Sequence, residues 1–230
     1  MKAMILAAGR GERMRPLTDT TPKPLLEVGG KALVVWIIEA LVANGFRELV
    51  INVSHLGAQI ENALGSGQQW NASIQYSREA EPLEAAGGIA TALALLGSAP
   101  FIVVNADIYT DFDFARLRDV VLPHGPTKAH LVLVDNPTHH PDGDFALKGN
   151  TLSNAKLERY TFSGIGAYQP ALFHGIAPHT KAGLAALLRP QIDAGCVSGE
   201  YHSGHWSDVG TTERLAQVDA MLRRESSARR

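Results

Sequence analysis

The segment 6–24 carries residue types that suit the binding of a polyphosphate. A short apolar run is followed by small residues, which are Ala7, Ala8, Gly9 and Gly11. Small side chains let phosphate oxygens approach backbone N–H groups closely. Arg13 and Lys23 add positive charge to the same segment, and phosphoryl transfer needs such charge most in its transition state. The segment therefore predicts a nucleoside triphosphate site, with Arg13 and Lys23 as its catalytic cations.

Two other kinds of nucleotide site also begin with a glycine loop, and the sequence can be compared with the motif of each. A dinucleotide-binding fingerprint requires a third glycine where Met14 stands and an acidic residue after the second strand, where Asn52 stands. A P-loop requires G-x-x-x-x-G-K-[ST], which the sequence lacks. A tight strand-to-helix turn with solvated arginines is the remaining structural alternative for a bare Gly9-x-Gly11.

The full segment resembles the signature of the sugar-nucleotide pyrophosphorylases, L-A-A-G-x-G-x-R-x-x-P-x-T with a downstream P-K-P. Nearly every position matches. The resemblance implies that the loop from Ala7 to Gly11 holds the nucleotide, and that Arg13 and Lys23 contact phosphates. It also implies the reaction of that family, in which a nucleoside triphosphate and a hexose 1-phosphate give a nucleotide sugar and pyrophosphate.

Two aspartates are candidate ligands of Mg²⁺. Asp107 follows the apolar run 101–104, and the carboxyl ends of parallel strands are where open α/β sheets bind ligands. Its hard oxygens suit Mg²⁺. The segment Trp206-Ser207-Asp208-Val209-Gly210-Thr211 resembles the late W-x-D-x-G-T element of the same family, which implies that Asp208 is the second carboxylate. Without the resemblance, both aspartates read as turn residues.

A transition-metal site is an alternative for the later segment, because His202 and His205 precede Asp208 at a spacing of three. A site that handles a triphosphate favours Mg²⁺ held by carboxylates, so the sequence predicts no transition metal.

The middle of the chain supplies candidates for binding the base and the sugar. Residues 79–88 resemble the family's base-reading loop, which implies that Pro82 and Gly87 contact the nucleotide. Glu84 and Ala85 stand for the usual glycine and threonine of that loop, and Ala106 stands for the usual glycine before the aspartate. The residues expected at the sugar are Asn105, which is also expected at the nucleotide, and Gly143, Glu158 and Ser163.

The compact form of the chain, with Glu-Pro-Leu-Glu, Gly-Asp-Phe and Phe-Ser-Gly-Ile-Gly, is most similar to bacterial N-acetylmuramate-1-phosphate uridylyltransferases of cell-wall recycling. This implies UTP and N-acetylmuramate 1-phosphate as substrates. Short mannose-1-phosphate guanylyltransferases, which use GTP, are the second interpretation. A non-catalytic nucleotide-sugar sensor is a third, although Arg13, Lys23, Asp107 and Asp208 are all present.

Strands and helices alternate along the first half of the chain, which predicts a parallel sheet with helices on both faces. Expected strands are 1–7, 48–53, 73–76, 101–105 and 129–134, and expected helices are 33–44, 56–64, 86–96 and 112–121. Dense turn signals follow Asp135. We expect strands at 145–147, 152–157, 162–168 and 197–201, and helices at 184–192 and 213–222. The fold class is thus α/β, a Rossmann-like, mainly parallel mixed sheet with a small inserted β-rich part that binds sugar.

The 230 residues predict one domain over 1–222, with a nucleotide-binding half to about residue 135, a sugar-binding half over 136–222, and a disordered or vector-derived tail over 223–230. A net charge of −2 gives no general attraction to nucleic acid or to anionic membranes. No run approaches the roughly 18 apolar residues of a membrane span. One cysteine excludes an intrachain disulfide and fits a cytoplasmic protein. A monomer is compatible with the sequence, which does not determine the oligomeric state.

Overall fold

The computed structural model describes residues 1–118, 120 and 127–228. The β-strands are β1 (Ala3–Leu6), β2 (Glu27–Val28), β3 (Lys31–Ala32), β4 (Glu48–Val53), β5 (Ser73–Arg78), β6 (Phe101–Asn105), β7 (Ile108–Thr110), β8 (Ala129–Val134), β9 (Phe145–Lys148), β10 (Thr151–Ser153), β11 (Arg159–Tyr168), β12 (Val197–Tyr201) and β13 (Trp206–Asp208). The α-helices are α1 (Leu17–Thr20), α2 (Leu33–Ala43), α3 (Gly57–Leu64), α4 (Glu84–Leu96), α5 (Leu184–Asp193) and α6 (Thr212–Ala228). Short 3-10 turns occupy Glu12–Met14, Lys23–Leu25, Gln68–Trp70, Phe114–Arg118 and Pro170–Phe173.

The described strands form one nine-stranded sheet in the order β5-β4-β1-β6-β11-β8-β12-β10-β9, and two small ladders, β7–β13 and β2–β3. The first four strands of this order are mutually parallel. β11 runs antiparallel between β6 and β8, and β12 is parallel to β8. The predicted mixed α/β sheet is confirmed, and β9 to β12 of the second half belong to the same sheet as the parallel strands of the first half.

Each central strand is buried on both faces, which explains why it reads as a continuous apolar run and not as an alternating one. In β1, Ala3 and Ile5 pack into the cluster that contains α2, whereas Met4 packs into the cluster that contains α4. Helix α2 presents a stripe of Leu33, Val34, Ile37, Ile38 and Leu41 to the core, which is the periodicity expected of a helix buried on one face. Fully burying one such side chain contributes roughly 1.5–3 kcal/mol.

Several element boundaries differ from the predicted ones for local reasons. β1 ends at Leu6 because the N–H of Ala7 donates to the side-chain oxygen of Asn52 at 2.8 Å and not to a neighbouring strand. β10 ends at Ser153, whose hydroxyl accepts a hydrogen bond from the N–H of Ala155 at 3.1 Å, and such local side-chain bonds compete with a strand ladder.

Two predictions are corrected, one for a helix and one for the C-terminal tail. The helix expected over 112–121 is a 3-10 turn over Phe114–Arg118, and residues 119 and 121 lie outside the described part of the chain. Helix α6 continues to Ala228, so residues 223–228 of the expected disordered tail are helical, while 229–230 are not described. Among the described residues, no helix is both long and apolar enough to cross a bilayer.

Candidate active site

A cavity of about 240 Å³ lies at the carboxyl ends of β1, β4 and β6. This is the edge at which the sequence predicts the ligand site. The described residues that line the cavity are Leu6, Ala7, Ala8, Gly9, Lys23, Pro24, Asn52, Glu79, Pro82, Leu83, Glu84, Ala85, Asn105, Ala106 and Asp107. We call this space the base cavity.

The loop after β1 owes its shape to Gly11. Gly11 adopts φ = 66°, and an added Cβ would lie 2.9 Å from the Thr18 side chain and 3.1 Å from that of Lys23. The hydroxyl of Thr18 donates to the Gly11 carbonyl at 2.9 Å. Glycine at this position therefore allows the loop to fold back on the segment that carries Lys23.

Lys23 and Asp107 form an ion pair at the mouth of the base cavity. The Lys23 side chain is only 10% exposed, whereas that of Asp107 is 34% exposed. Both charged groups belong to the predicted set, and both line the cavity. The partly exposed carboxylate can accept a cation, and the ammonium group beside it can bind an incoming phosphate.

Asp208 is brought beside Asp107 by the ladder between β7 and β13. Asp208 pairs with Ile108, and the N–H of Val209 donates to the Asp107 carbonyl at 2.7 Å. Two hard carboxylates from neighbouring backbone positions are the donor set that Mg²⁺ uses together with substrate phosphates and water. In the described part of the chain, no group of three or more His, Cys, Asp or Glu residues could hold a metal ion.

The carboxylate of Asp208 is held by a cation that the sequence does not single out. Nη1 of Arg214, in the first turn of α6, lies 2.6 Å from both carboxylate oxygens. Nε2 of His139 lies 2.6 Å from the same Arg214 atom and 3.3 Å from the Asp208 carboxylate. His139 lies on an exposed loop. Nothing in the sequence indicates that this loop reaches Asp208.

A second cleft, of about 590 Å³, adjoins the base cavity and shares Gly9, Lys23, Pro82 and Asp107 with it. Its described lining includes four cationic side chains, those of Arg10, Arg13, Lys23 and Lys181. Gly11 also lines this cleft. We call it the phosphate cleft, because clustered cations with backbone N–H groups are what a triphosphate requires.

The structure explains why the late motif has glycine at position 210. An added Cβ would lie 2.4 Å from Nη2 of Arg214 and 2.9 Å from Nη2 of Arg13. Two guanidinium groups thus pack over a backbone that has no side chain. This contact brings Arg13, from the first motif, against the segment that carries Asp208.

Lys181 is a cation of the phosphate cleft that sequence reasoning missed. It lies on the segment before α5, and it contacts Glu84 at 3.5 Å. The segment is held in place because Ala182 N–H donates to the Leu83 carbonyl at 3.0 Å and Gly87 N–H donates to the Ala182 carbonyl at 3.1 Å. No local motif marks a lysine that reaches the site through such long-range contacts.

The segment expected to read the base lines the cavity through Pro82, Leu83, Glu84 and Ala85. Glu84 adopts φ = 59°, a left-handed conformation that favours glycine. Gly87 lies behind the cavity wall, where an added Cβ would approach the Thr180 carbonyl oxygen within 2.2 Å. Its glycine is therefore explained by packing against the segment that carries Lys181.

The residues expected at the sugar lie in different surroundings. Asn105 lines the base cavity. Gly143, Glu158 and Ser163 are outside the described linings of that cavity and of the phosphate cleft. Ser163 is buried, and its hydroxyl donates to the Val132 carbonyl at 2.7 Å. The structure thus gives Ser163 a packing role and shows no contact that would assign Glu158.

The histidines before Asp208 are engaged separately. Nε2 of His202 lies 2.9 Å from an oxygen of Asp111. The ring of His205 packs edge-on against Tyr109, with centroids 5.4 Å apart.

One family model and several known proteins are similar in sequence to this chain. The model of the nucleotidyl transferase family matches residues 2–145. The chain is 52% identical over 227 residues to the N-acetylmuramate alpha-1-phosphate uridylyltransferase of Neisseria meningitidis serogroup B, covering 96% of this chain and 98% of the relative. It is 33% identical to a mannose-1-phosphate guanyltransferase of Aspergillus oryzae, covering 91% of this chain and 61% of that relative.

Solved structures share the fold at low sequence identity. A structure described as a glucose-1-phosphate thymidylyltransferase of Bacillus anthracis superposes with a TM-score of 0.86 at 21% identity, covering 97% of this chain and 95% of that one. HddC of Yersinia pseudotuberculosis, solved with GMP-PN, gives a TM-score of 0.79 at 20% identity, covering 96% and 99%.

Proposed function

Since the chain belongs to the nucleotidyl transferase family, we propose that it transfers UMP from UTP to N-acetylmuramate 1-phosphate, giving the UDP-sugar and pyrophosphate with Mg²⁺ as cofactor. The identity of 52% over almost the whole length of a uridylyltransferase carries the choice of substrates. The reaction would return a cell-wall sugar to its nucleotide-linked form, and we place it in the cytoplasm, where UTP is available.

The reaction needs no covalent enzyme intermediate. An oxygen of the sugar phosphate attacks the α-phosphorus of UTP in line, and the bond from that phosphorus to the bridging oxygen of the β-phosphate breaks. The bonding electrons leave with pyrophosphate. The nucleophile is already an anion, so the protein's contribution is to position the reactants and to neutralise charge.

The position of each described residue suggests which part of the substrates it would bind. Lys23, nearly buried at the junction of the base cavity and the phosphate cleft, would bind the α-phosphate or the sugar phosphate. Arg13 and Lys181 line the phosphate cleft and would stabilise the leaving pyrophosphate. Asp107 and Asp208 would hold Mg²⁺, which when bound neutralises the phosphates of both substrates.

The proposal is tested by pyrophosphate release with Mg²⁺ for UTP, GTP, dTTP, CTP and ATP, each combined with N-acetylmuramate, N-acetylglucosamine, mannose and glucose 1-phosphates. We expect release only with UTP and N-acetylmuramate 1-phosphate. Release with GTP and mannose 1-phosphate would instead support the guanylyltransferase interpretation, to which the relative from Aspergillus oryzae points. Tight nucleotide binding with no release from any pair would support a sensor.

A further inference from the structure

An indole N–H group connects the two-stranded ladder of β7 and β13 to the nine-stranded sheet. Nε1 of Trp206, in β13, donates a hydrogen bond to the backbone carbonyl of Ser163, in β11, at 2.9 Å. β7 and β13 form a sheet of their own, in which each has the other as its neighbour. The Trp206 side chain therefore joins two sheets that strand pairing leaves separate.

A β-bulge in β11 makes the Ser163 carbonyl available for this bond. The register of β11 with β8 jumps between Phe162 and Gly166, and its register with β6 begins only at Ile165, so Ser163 lies in the gap between both ladders. The Ser163 hydroxyl donates to the Val132 carbonyl at 2.7 Å and accepts from the N–H of Ile165 at 3.2 Å. These two bonds hold the shape of the bulge. Bulges often lie next to active sites, where they redirect a side chain or end a ladder.

Gly164 provides an independent sign that the bulge is adapted to its surroundings. It adopts φ = 80°, a conformation that favours glycine, and an added Cβ would lie 2.4 Å from Nδ2 of Asn105. Asn105 is the last residue of β6 and lines the base cavity. The bulge therefore lies close to the end of β6 as well as to Trp206.

Trp206 lies two residues before Asp208 in β13, so the two side chains point to the same face of the strand. Both line a cleft of about 760 Å³. β13 pairs with β7 through only three residue pairs. The bond from Trp206 to β11 anchors the start of this short strand, and the bond from the N–H of Val209 to the Asp107 carbonyl, at 2.7 Å, anchors the chain just after it. The Asp208 carboxylate is carried between these two anchors.

We propose that Trp206 is a positioning residue for the metal site. Its hydrogen bond to the bulge of β11 holds β13 at the depth and twist at which the carboxylate of Asp208 shares a metal ion with that of Asp107. This rests on the proposed function in so far as these two carboxylates hold Mg²⁺. The indole acts through the backbone of β13, so loss of its N–H group should weaken metal binding and leave the affinity for both substrates in place.

The test removes the N–H group and keeps an aromatic ring. Trp206→Phe loses the bond to Ser163. Replacement of Trp206 by β-(3-benzothienyl)alanine, in which sulfur takes the place of the N–H group, removes the same bond and preserves the shape of the ring. This second variant keeps any contact that the ring itself makes with a substrate.

Trp36→Phe is the matched control. Nε1 of Trp36 also donates to a backbone carbonyl, that of Val28, at 3.0 Å. The ring of Trp36 packs against that of Tyr109 in β7, with centroids 5.5 Å apart. The control therefore loses the same kind of bond, and it also reports whether looser packing of the ladder is enough to change metal binding.

We expect both Trp206 variants to raise the free Mg²⁺ concentration that gives half-maximal activity roughly threefold to tenfold, the effect of one hydrogen bond. The KM values for UTP and for the sugar phosphate, measured at saturating Mg²⁺, should change little. Trp36→Phe should leave the Mg²⁺ concentration unchanged, although its thermal unfolding midpoint should fall as that of Trp206→Phe does. An equal shift in Mg²⁺ concentration for Trp36→Phe, or a raised KM for the sugar phosphate with no shift in Mg²⁺ concentration, overturns the proposal.

Metal binding without turnover gives a second readout. Electron paramagnetic resonance measures free Mn²⁺ in the presence of the protein and a non-hydrolysable UTP analogue, corrected for the Mn²⁺ that the analogue binds alone. The Trp206 variants should bind Mn²⁺ more weakly than the unaltered protein and Trp36→Phe, by the same factor as above. If the unaltered protein releases no pyrophosphate from any substrate pair, the proposed function fails, and this titration tests the positioning role alone. Equal Mn²⁺ affinities in all four proteins, or no Mn²⁺ binding by the unaltered protein, refute that role.

Discussion

The backbone N–H of Val209 donates to the carbonyl oxygen of Asp107 at 2.7 Å. This bond extends the ladder of β7 and β13 and places two carboxylates, those of Asp107 and Asp208, on neighbouring backbone positions. The two motifs lie far apart in the chain, and their meeting depends on a ladder of only three residue pairs. Both carboxylates carry a cationic partner, Lys23 for Asp107 and Arg214 for Asp208.

Replacing Asp107 by asparagine should abolish most turnover and leave the fold intact. The change preserves shape but removes the negative charge that faces Lys23 and the proposed Mg²⁺. We expect pyrophosphate release to fall by about two to three orders of magnitude, with a thermal unfolding midpoint within a few degrees of the original. Asp19→Asn is the control, because Asp19 only forms an exposed pair with Arg15. A large drop in the unfolding midpoint would instead make Asp107 a structural residue.

Replacing Arg214 by methionine should lower the Mg²⁺ concentration that gives half-maximal activity. Arg214 holds both oxygens of Asp208 at 2.6 Å, so its removal frees that carboxylate for the metal. We expect a shift of roughly tenfold, the effect of one hydrogen bond to a charged group. Arg223→Met, on the same helix and paired with Asp219, should not change the midpoint. An unchanged midpoint with a lower kcat in Arg214→Met would show that Arg214 acts on the substrates.

Replacing Gly88 by alanine should destabilise the protein, although alanine is the better helix former. The new methyl group would meet Glu79 and Asn52 at 2.7 and 2.8 Å, and such overpacking costs roughly 1–3 kcal/mol. Urea denaturation measures the change. Gly175→Ala is the matched control, because nothing lies within 4 Å of its added Cβ. If Gly88→Ala is as stable as the unaltered protein or more stable, the side chains of Glu79 and Asn52 can move aside without a loss of stability.

The carboxyl group of Glu200 should make the free energy of unfolding depend on pH in the acid range. Burial raises the pKa of Glu200, but the contact of its carboxylate with His130 and the charge of Arg116 outweigh burial and hold the pKa below its usual 4.5. Since the unfolded chain binds this proton at a higher pH than the native protein, the stabilisation is complete above the unfolded pKa. It is lost as the pH falls below about 4.5 toward the native pKa.

The measurement is the free energy of unfolding between about pH 6 and pH 3 for the unaltered protein and Glu200→Gln. The variant should lose less stability than the unaltered protein over that interval, because it has no carboxylate to protonate at this position. Parallel curves for the two proteins would show that Glu200 has the same pKa in both states.

The sequence predicted most of the sheet because its strands differ sharply from what surrounds them. The runs 48–53, 101–105, 129–134 and 197–201 were predicted with the bounds that the structure gives. The first three are rich in apolar residues, and central strands buried on both faces require such runs. Where a side chain competes for backbone hydrogen bonds, as Ser153 does at the end of β10, composition alone could not show where the strand stops.

The meeting of Arg13 and Lys23 in one cleft was predictable, because both candidate residues belong to one segment of the sequence. Contacts between distant segments were not predictable. Arg214 reaches Asp208 from the first turn of the closing helix, and Lys181 reaches the phosphate cleft because its segment bonds to Leu83 and Gly87. Neither residue has a local signal, since a lysine or arginine on a solvated surface looks the same in the sequence.

The position of β11 has a consequence for synthesis of the chain. The region that matches the family ends at residue 145, yet β6 in the centre of the sheet pairs with β11, which begins only at Arg159. A nascent or truncated chain that stopped at residue 145 would present the apolar edge of β6 without its partner, and an unpaired edge of this kind favours aggregation. The nucleotide-binding half is therefore expected to reach its folded state only after β11 has emerged from the ribosome.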